Sequence, residues 1–366
     1  CALHKNVWDG KDLDGVPEED DWIDDGEPFE RITDGIILHP FHSHHLRLEI
    51  FMAYDKNKYC RGCALPVYEG QFYSCMECKF ILHESCANAP RMKRHPLHPY
   101  PLTLDNMASA GKEGKTKCSA CKRDVGGFYY YHHSKEPVRT SILLDLRCAL
   151  IIEPFEFQGH KHPLFLPWDL KEKTRCQICK EVIKHHSEFQ FGREVIEHHS
   201  ELSCMDCDYT ICFHCATLPY KVRYKHDSHF LIICDGKKAS DQQDWCEICE
   251  RNKERRHPDL NPKVERRIYK CSDCCTTIHA ECLLGADIYL RSGQTIKYGV
   301  SYSDCDLSRV DVQIILNNSL SRPICKVCHC RCPFPIYFKS QSGYYCSSLC
   351  IERLIYNSNE RYWRSR

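Results

Sequence analysis

Three times along this chain, two Cys-x2-Cys pairs are followed, after a gap of four residues, by a third pair of metal-ligand type. That spacing constrains the fold more than any other feature. Cys60-x2-Cys63, Cys75-x2-Cys78 and His83-x2-Cys86 form the first instance. Cys176-x2-Cys179, Cys204-x2-Cys207 and Cys212-x2-Cys215 form the next, with cysteine where the histidine stood. Cys246-x2-Cys249, Cys271-x2-Cys274 and His279-x2-Cys282 form the last. Two side chains three positions apart grip one ion from a tight turn, and two such grips complete a zinc tetrahedron. The pattern predicts small zinc-stabilised α+β modules in tandem.

Composition supports metal over disulfides. The chain carries 29 Cys and 22 His in 366 residues, and nine of its cysteine pairs are Cys-x2-Cys with histidines at matching phases. Disulfide frameworks have no use for phased histidine. Free thiolates need a reducing compartment, so cytosol or nucleus is expected. The most apolar stretch, residues 141–155, is broken by Asp145 and Arg147, which rules it out as a membrane span. Formal net charge is zero, so general nucleic-acid binding is not expected.

The knuckle cysteines Cys60, Cys118 and Cys176 recur at 58-residue intervals, and Cys246 follows after 70. Such a period marks an array of supersecondary units. Cys1-Ala2-Leu3 repeats Cys148-Ala149-Leu150, so residues 1–38 are expected to hold the end of an upstream repeat and an acidic linker with 12 Asp and Glu between 9 and 34. Repeats are then expected at 39–97, 98–159 (degenerate), 160–225 and 226–300, with a C-terminal zinc-knuckle module at 301–366. Each unit opens with histidine and alternating apolar residues, as in His44-His45-Leu46-Arg47-Leu48 and His229-Phe230-Leu231-Ile232-Ile233, a strand pattern. Aromatics before the second pair, as in Phe72-Tyr73-Ser74-Cys75, predict another strand, and the segments after His83 and His279 a short helix. A unit of this size has a marginal apolar core, and zinc, worth on the order of 10 kcal/mol or more per site, is expected to supply most of its stability.

The His-x-Leu-x-Leu starts, the paired Cys-x2-Cys, the segment Phe80-Ile81-Leu82-His83 and Cys86-Ala87 resemble the C1 zinc finger of protein kinase C. They are more similar still to the divergent C1 (DC1) repeats of plant cysteine/histidine-rich proteins. The resemblance implies two interleaved zinc sites per unit. Carried over, it gives Cys60, Cys63, His83 and Cys86, then His44, Cys75, Cys78 and a closing histidine, taken as His95. The third unit gives Cys176, Cys179, Cys212 and Cys215, then His162, Cys204, Cys207 and His226. The fourth gives Cys246, Cys249, His279 and Cys282, then His229, Cys271 and Cys274, with Cys305 the candidate for a missing fourth ligand. Each junction offers a choice of closing histidine: His39 or His42, His95 or His98, and His160 beside His162.

The second unit departs from this pattern. Cys118, Cys121 and Cys148 are in place, and Asp145 stands at the position of His83. Carboxylate is a permitted zinc ligand. The other site is expected to be lost, with Tyr100 at the position of His44 and no cysteines at the phase of Pro137 and Thr140. His132 and His133 are candidates to rescue that site, with exposed loop histidines the preferred reading. At the C-terminus, Cys325-x2-Cys328, a hairpin over 335–345 and Cys346-x3-Cys350 at the start of a helix with Leu349, Ile351, Leu354 and Ile355 predict a treble-clef-like zinc site, leaving Cys330 and Cys332 over. In all, about six to eight structural Zn2+ ions are expected, at four ligands per closed site.

Closed Cys/His tetrahedra read as structural, so no catalysis is expected. Trp245-Cys246-Glu247-Ile248-Cys249 has the look of a thioredoxin active site, but no βαβ pattern precedes it, and the pair falls at knuckle phase. Related repeats occur attached to thioredoxin-like domains, so the resemblance keeps protein-disulfide reductase activity as one alternative. Diacylglycerol sensing is another, resting on an apolar tip at Val67, Tyr68 and Phe72. The leading expectation is a protein-interaction array in intracellular signalling, with other proteins as partners and membrane diacylglycerol as the minor candidate.

Overall fold

The computed structural model describes residues 26–51, 58–68, 70–107, 116–132, 141–167, 174–183, 201–224, 227–234, 245–251, 267–298, 310–318 and 321–355. Among them the chain forms five small antiparallel sheets whose strand order follows the sequence. The first holds β1 (Glu30–Thr33), β2 (Ile36–Leu38), β3 (Leu46–Phe51), β4 (Gly70–Cys75) and β5 (Ile81–His83), and one helical turn follows, α1 (Glu84–Ala87). The second holds β6 (Met92–His95), β7 (His98–Asn106), β8 (Phe128–His132) and β9 (Ile142–Asp145), then α2 (Leu146–Ala149). The third is shorter: β10 (Leu164–Phe165), β11 (Glu201–Cys204) and β12 (Thr210–Cys212), then α3 (Phe213–Ala216). The fourth holds β13 (Lys221–Arg223), β14 (Phe230–Ile233), β15 (Ile268–Lys270) and β16 (Thr277–His279), then α4 (Ala280–Leu284).

Register repeats with the ligands. Leu46 faces Cys75 and Phe72 faces His83 in the first unit; Leu164 faces Cys204, and Ile268 faces His279, in the third and fourth. The alternation of the opening strand buries Leu46 and exposes Arg47, which fixes the face toward the core. The anticipated opening strands, aromatic strands and short helices are therefore all present.

Unit boundaries differ from the sequence expectation. β1 and β2 lie in what reads as the acidic linker, and β6 and β13 lie N-terminal to the expected starts at 98 and 226. Each begins its unit by pairing with the opening strand or its hairpin. These strands run three or four residues, and β1 is exposed throughout, so no hydrophobic alternation marks them in sequence.

The C-terminal module has β17 (Thr295–Tyr298), β18 (Val310–Leu316), β19 (Ile336–Ser340) and β20 (Gly343–Tyr345), then a helix over residues 348–355. β17 precedes the expected boundary at 301. Phe338 pairs with Tyr345 in the anticipated hairpin. Val312, Ile314, Phe338, Ile351 and Ile355 form a core of their own.

The four repeats do not stand apart as beads. One buried cluster runs from Phe29 to Leu284. At the first junction Phe128 N–H donates to Gly62 O at 3.0 Å, and Phe128 stacks on His39 with centroids 5.3 Å apart. A Cβ at Gly127 would lie 2.2 Å from Gly62 O, so only glycine permits this approach.

Candidate metal centres

Five knuckles share one backbone trace. In each, the residue after the second cysteine adopts a left-handed conformation: Ala64, Lys122, Lys180, Glu250 and His329 have φ between 57° and 61°. Its N–H returns to the carbonyl of the first cysteine, as in Ala64 N–H to Cys60 O at 2.9 Å and His329 N–H to Cys325 O at 2.9 Å. This turn aims both thiols at one point. A third group comes from the junction of the last strand with the helical turn, where the N-cap position holds His83, Asp145, Cys212 or His279. Its backbone N–H points at the first thiol, at 3.4, 3.3, 3.4 and 3.4 Å for these four residues.

The first sites are buried. The ligand atoms of Cys60, Cys63, His83 and Cys86 lie within 4.8 Å of one another, as do those of Cys176, Cys179, Cys212 and Cys215, and of Cys246, Cys249, His279 and Cys282. Individual separations match tetrahedron edges. Cys63 Sγ lies 3.3 Å and Cys86 Sγ 3.9 Å from His83 Nδ1; Cys249 Sγ and Cys282 Sγ lie 3.4 and 3.8 Å from His279 Nδ1; Cys179 and Cys212 Sγ are 3.9 Å apart. A tetrahedron with Zn–S of about 2.3 Å and Zn–N of about 2.0 Å has edges of roughly 3.5–3.8 Å, whereas a disulfide needs about 2.05 Å. Every described cysteine is a free thiol. The donor sets thus fit zinc. His83 Nε2 faces Pro66 O at 3.3 Å, which orients the ring to present Nδ1.

The second sites are more open and correct the expectation from sequence. Cys75 and Cys78 converge with His44 and His42: Cys75 Sγ to His44 Nδ1 is 3.6 Å and Cys78 Sγ to His42 Nε2 is 3.6 Å. His95 is not in this set. It is 3% exposed, its Nδ1 accepts from Leu97 N–H at 3.2 Å, and burial lowers its pKa to about 4, so it is a neutral core histidine. His39 has the same core role in the preceding unit. In the third unit Cys204 lies 3.6 Å from His162 Nδ1 and Cys207 3.4 Å from His160 Nε2. His226 falls outside the described residues, and His160 takes the corner assigned to it.

The fourth unit replaces the closing histidine with a carboxylate. Asp227 Oδ2 accepts from Cys274 Sγ at 2.8 Å, and Asp227 Oδ1 lies 3.2 Å from His229 Nδ1. His229 in turn hydrogen-bonds Cys274, the interaction that chiefly raises its pKa. Cys305 is outside the described residues. Asp227-x-His229 keeps the spacing of His42-x-His44 and His160-x-His162, a signal already present in the sequence. A second signal accompanies it: His42 stacks on Phe80 and His160 on Tyr209, each with centroids 4.1 Å apart, and where Asp227 replaces histidine the aromatic becomes Thr276.

In the second unit the thiols of Cys118, Cys121 and Cys148 converge. Asp145, expected as their fourth partner, is engaged elsewhere. Oδ1 accepts from the Arg147 N–H and Nε, both at 2.9 Å, while Oδ2 accepts from Arg147 Nη2 at 3.3 Å and from the hydroxyl of Tyr289. The lost second site also lies elsewhere than expected. Tyr129 faces Asp145 as Phe72 faces His83, so Cys75 corresponds to His132 rather than to the phase of Pro137. There His98, Tyr100 and His132 pack together, Tyr100 stacked on His132 with centroids 5.2 Å apart and His98 edge-on to Tyr100. Aromatic packing occupies the place of the metal.

In the C-terminal module Cys325, Cys328, Cys346 and Cys350 are buried together, with Sγ separations of 3.7 Å for Cys328–Cys346 and 3.3 Å for Cys346–Cys350. Cys330 turns its Sγ to Cys328 O at 3.1 Å, and Cys332 is buried apart. Trp245 and Cys246 open a knuckle, not the helix that thioredoxin chemistry needs. Val67 and Phe72, expected as an apolar tip, are buried at 0% and 1% exposure.

Repeated knuckles with Cys/His sets on short antiparallel sheets define a protein of tandem modules stabilised by several structural zinc ions. Residues 40–87 match the family model of the C1 domain, and residues 312–351 that of the C1 domain-like C-terminal region. No curated protein and no solved structure matches the chain. These two matches support a divergent C1 cysteine-rich protein over the stretches they cover.

Proposed function

We propose that the chain is an interaction array in intracellular signalling, held in a reducing compartment, cytosol or nucleus, with other proteins as its partners. The observation that carries this reading is the closure of the first sites of the first, third and fourth units: their four ligand positions are filled by side chains, mostly buried, with no coordination position left for a substrate. Chemistry is thereby turned inward and the exposed loops and edges are left to act. Free thiols throughout the described residues support the reducing compartment.

The test is affinity capture on the zinc-loaded full chain, with each captured protein re-tested in purified form for saturable binding. A partner that binds the loaded chain and not chelator-stripped chain is the expected result. Insulin reduction abolished by Cys249→Ser would restore the disulfide-reductase reading instead. Sedimentation with diacylglycerol vesicles but not with plain phosphatidylcholine would restore the lipid reading.

A further inference from the structure

The third unit alone completes its first site with four cysteines, carrying Cys212 where the first and fourth units carry His83 and His279. Exchange of a neutral imidazole for a thiolate gives the zinc-filled set a net charge of about −2 in place of about −1. Counter-charge surrounds this set and comes from other units. Arg123, on the second unit's knuckle, donates Nε to His214 Nε2 at 2.9 Å, Nη1 to Thr217 Oγ1 at 3.0 Å, and Nη2 to the His214 carbonyl. All three acceptors are neutral, and they flank Cys215 around α3. Arg267, beside β15 of the fourth unit, is 3% exposed and pairs with Glu281 at 2.7 Å, while its Nε meets no acceptor among the described residues.

Arg123, Arg267, Cys179 and Cys212 line one cavity of about 650 Å³ where the second, third and fourth units meet. On its wall Arg147 pairs with Asp145 and Lys117 with Asp124 at 3.2 Å, and Lys122, Glu181 and Asp287 also line it. Two guanidiniums drawn out of water beside one another are costly unless opposite charge is buried with them. Glu281 supplies one negative charge. Thiolates of the third unit, Cys215, Cys212 and Cys179, add favourable charge at Arg267, while at Arg123 the second unit's own Cys121 and Cys148 do so.

We propose that the tetrathiolate set of the third unit is an internal docking surface for guanidinium groups, against which the second and fourth units seat through Arg123 and Arg267. Cys212 then serves two purposes, as a zinc ligand and as the charge that holds three units together. Zinc loading at this one set governs the arrangement of units as well as the local fold.

The decisive variant is Cys212→His in the full chain, which restores the ligand used by the first and fourth units. Zinc per chain and far-ultraviolet circular dichroism are expected to stay unchanged. The radius of gyration in small-angle scattering is expected to rise, and protease cleavage at the junctions on either side of the third unit to accelerate about tenfold, as the undocked population grows. The double variant Arg123→Met/Arg267→Met leaves every ligand in place and is expected to loosen the array in the same way. Adding Cys212→His to it is expected to produce little further change. Cys212→His with full zinc and unaltered scattering and cleavage overturns the proposal. Should Cys212→His lose zinc, the arginine variant decides: unchanged scattering and cleavage overturns the proposal, and loosening upholds it.

Discussion

Asp227 Oδ2 lies 2.8 Å from Cys274 Sγ, 47 residues further along the chain, and so fills the corner that histidines occupy in the first and third units. Carboxylate oxygen is a normal zinc donor. Asp227→Ala is expected to lower zinc per chain by about one equivalent, because a three-ligand remnant exposed to water holds the ion weakly. Asp227→His, which copies His42 and His160, is expected to keep it. Metal analysis by mass spectrometry on the purified variants checks both; a full zinc complement in Asp227→Ala would remove Asp227 from the ligand set.

Tyr209 stacks on His160 with ring planes 10° apart. The ring holds the imidazole so that Nε2 faces Cys207. Tyr209→Ala is expected to weaken zinc at that site by roughly tenfold or more, the usual effect of losing an outer partner. Competition with a chromophoric chelator measures it, and an unchanged zinc-release curve would mean that the stack is mere packing.

Tyr289 donates its hydroxyl to Asp145, 144 residues earlier, and its side chain lies against Gly126, where an added Cβ would meet Tyr289 Cβ at 2.5 Å and ring Cγ at 2.8 Å. Tyr289→Phe keeps the packing but removes a buried hydrogen bond to a charged group. A loss of about 1–3 kcal/mol is expected, with zinc per chain unchanged. Hydrogen exchange of the amides in β9 is the readout, and wild-type protection there would refute the coupling.

Zinc uptake at the first unit is expected to release protons and to tighten as pH rises. Without zinc, burial works to lower the His83 pKa, but hydrogen bonds to Cys60 and Cys63 outweigh it and lift the value to about 11. The sign follows: a raised histidine pKa stabilises the metal-free fold below about 6.5, and that contribution fades as pH climbs through about 11. At neutral pH the imidazole therefore carries a proton that zinc must displace. Calorimetric titration in buffers of different ionisation enthalpy counts the protons; a heat that does not vary with buffer would contradict this.

Much of the candidate site was legible in the sequence because its main ligands are local. A Cys-x2-Cys turn sets two thiols with its own backbone, so Cys60/Cys63 through Cys325/Cys328 could be read without knowing the fold. Closing ligands were harder. His95 and His42 are both histidines near a turn, and the strand pairing that brings His42 to Cys78 while folding His95 into the second unit's interior is a tertiary fact. The carboxylate at Asp145 misled for the same reason, since Arg147 and Tyr289 claim it from beside and from afar.

By itself, then, the amino-acid order determined the ligand pairs, the small zinc-binding modules they imply and the alternating strand that follows each leading histidine, since ligand spacing and alternating apolarity act over a few residues. Only the tertiary structure decided which histidine or aspartate completes each second site, that aromatic rings replace one of them, and that four repeats share a continuous core. Those outcomes depend on charges and side chains brought together across unit junctions, where burial makes an unmatched carboxylate or guanidinium too costly to leave alone.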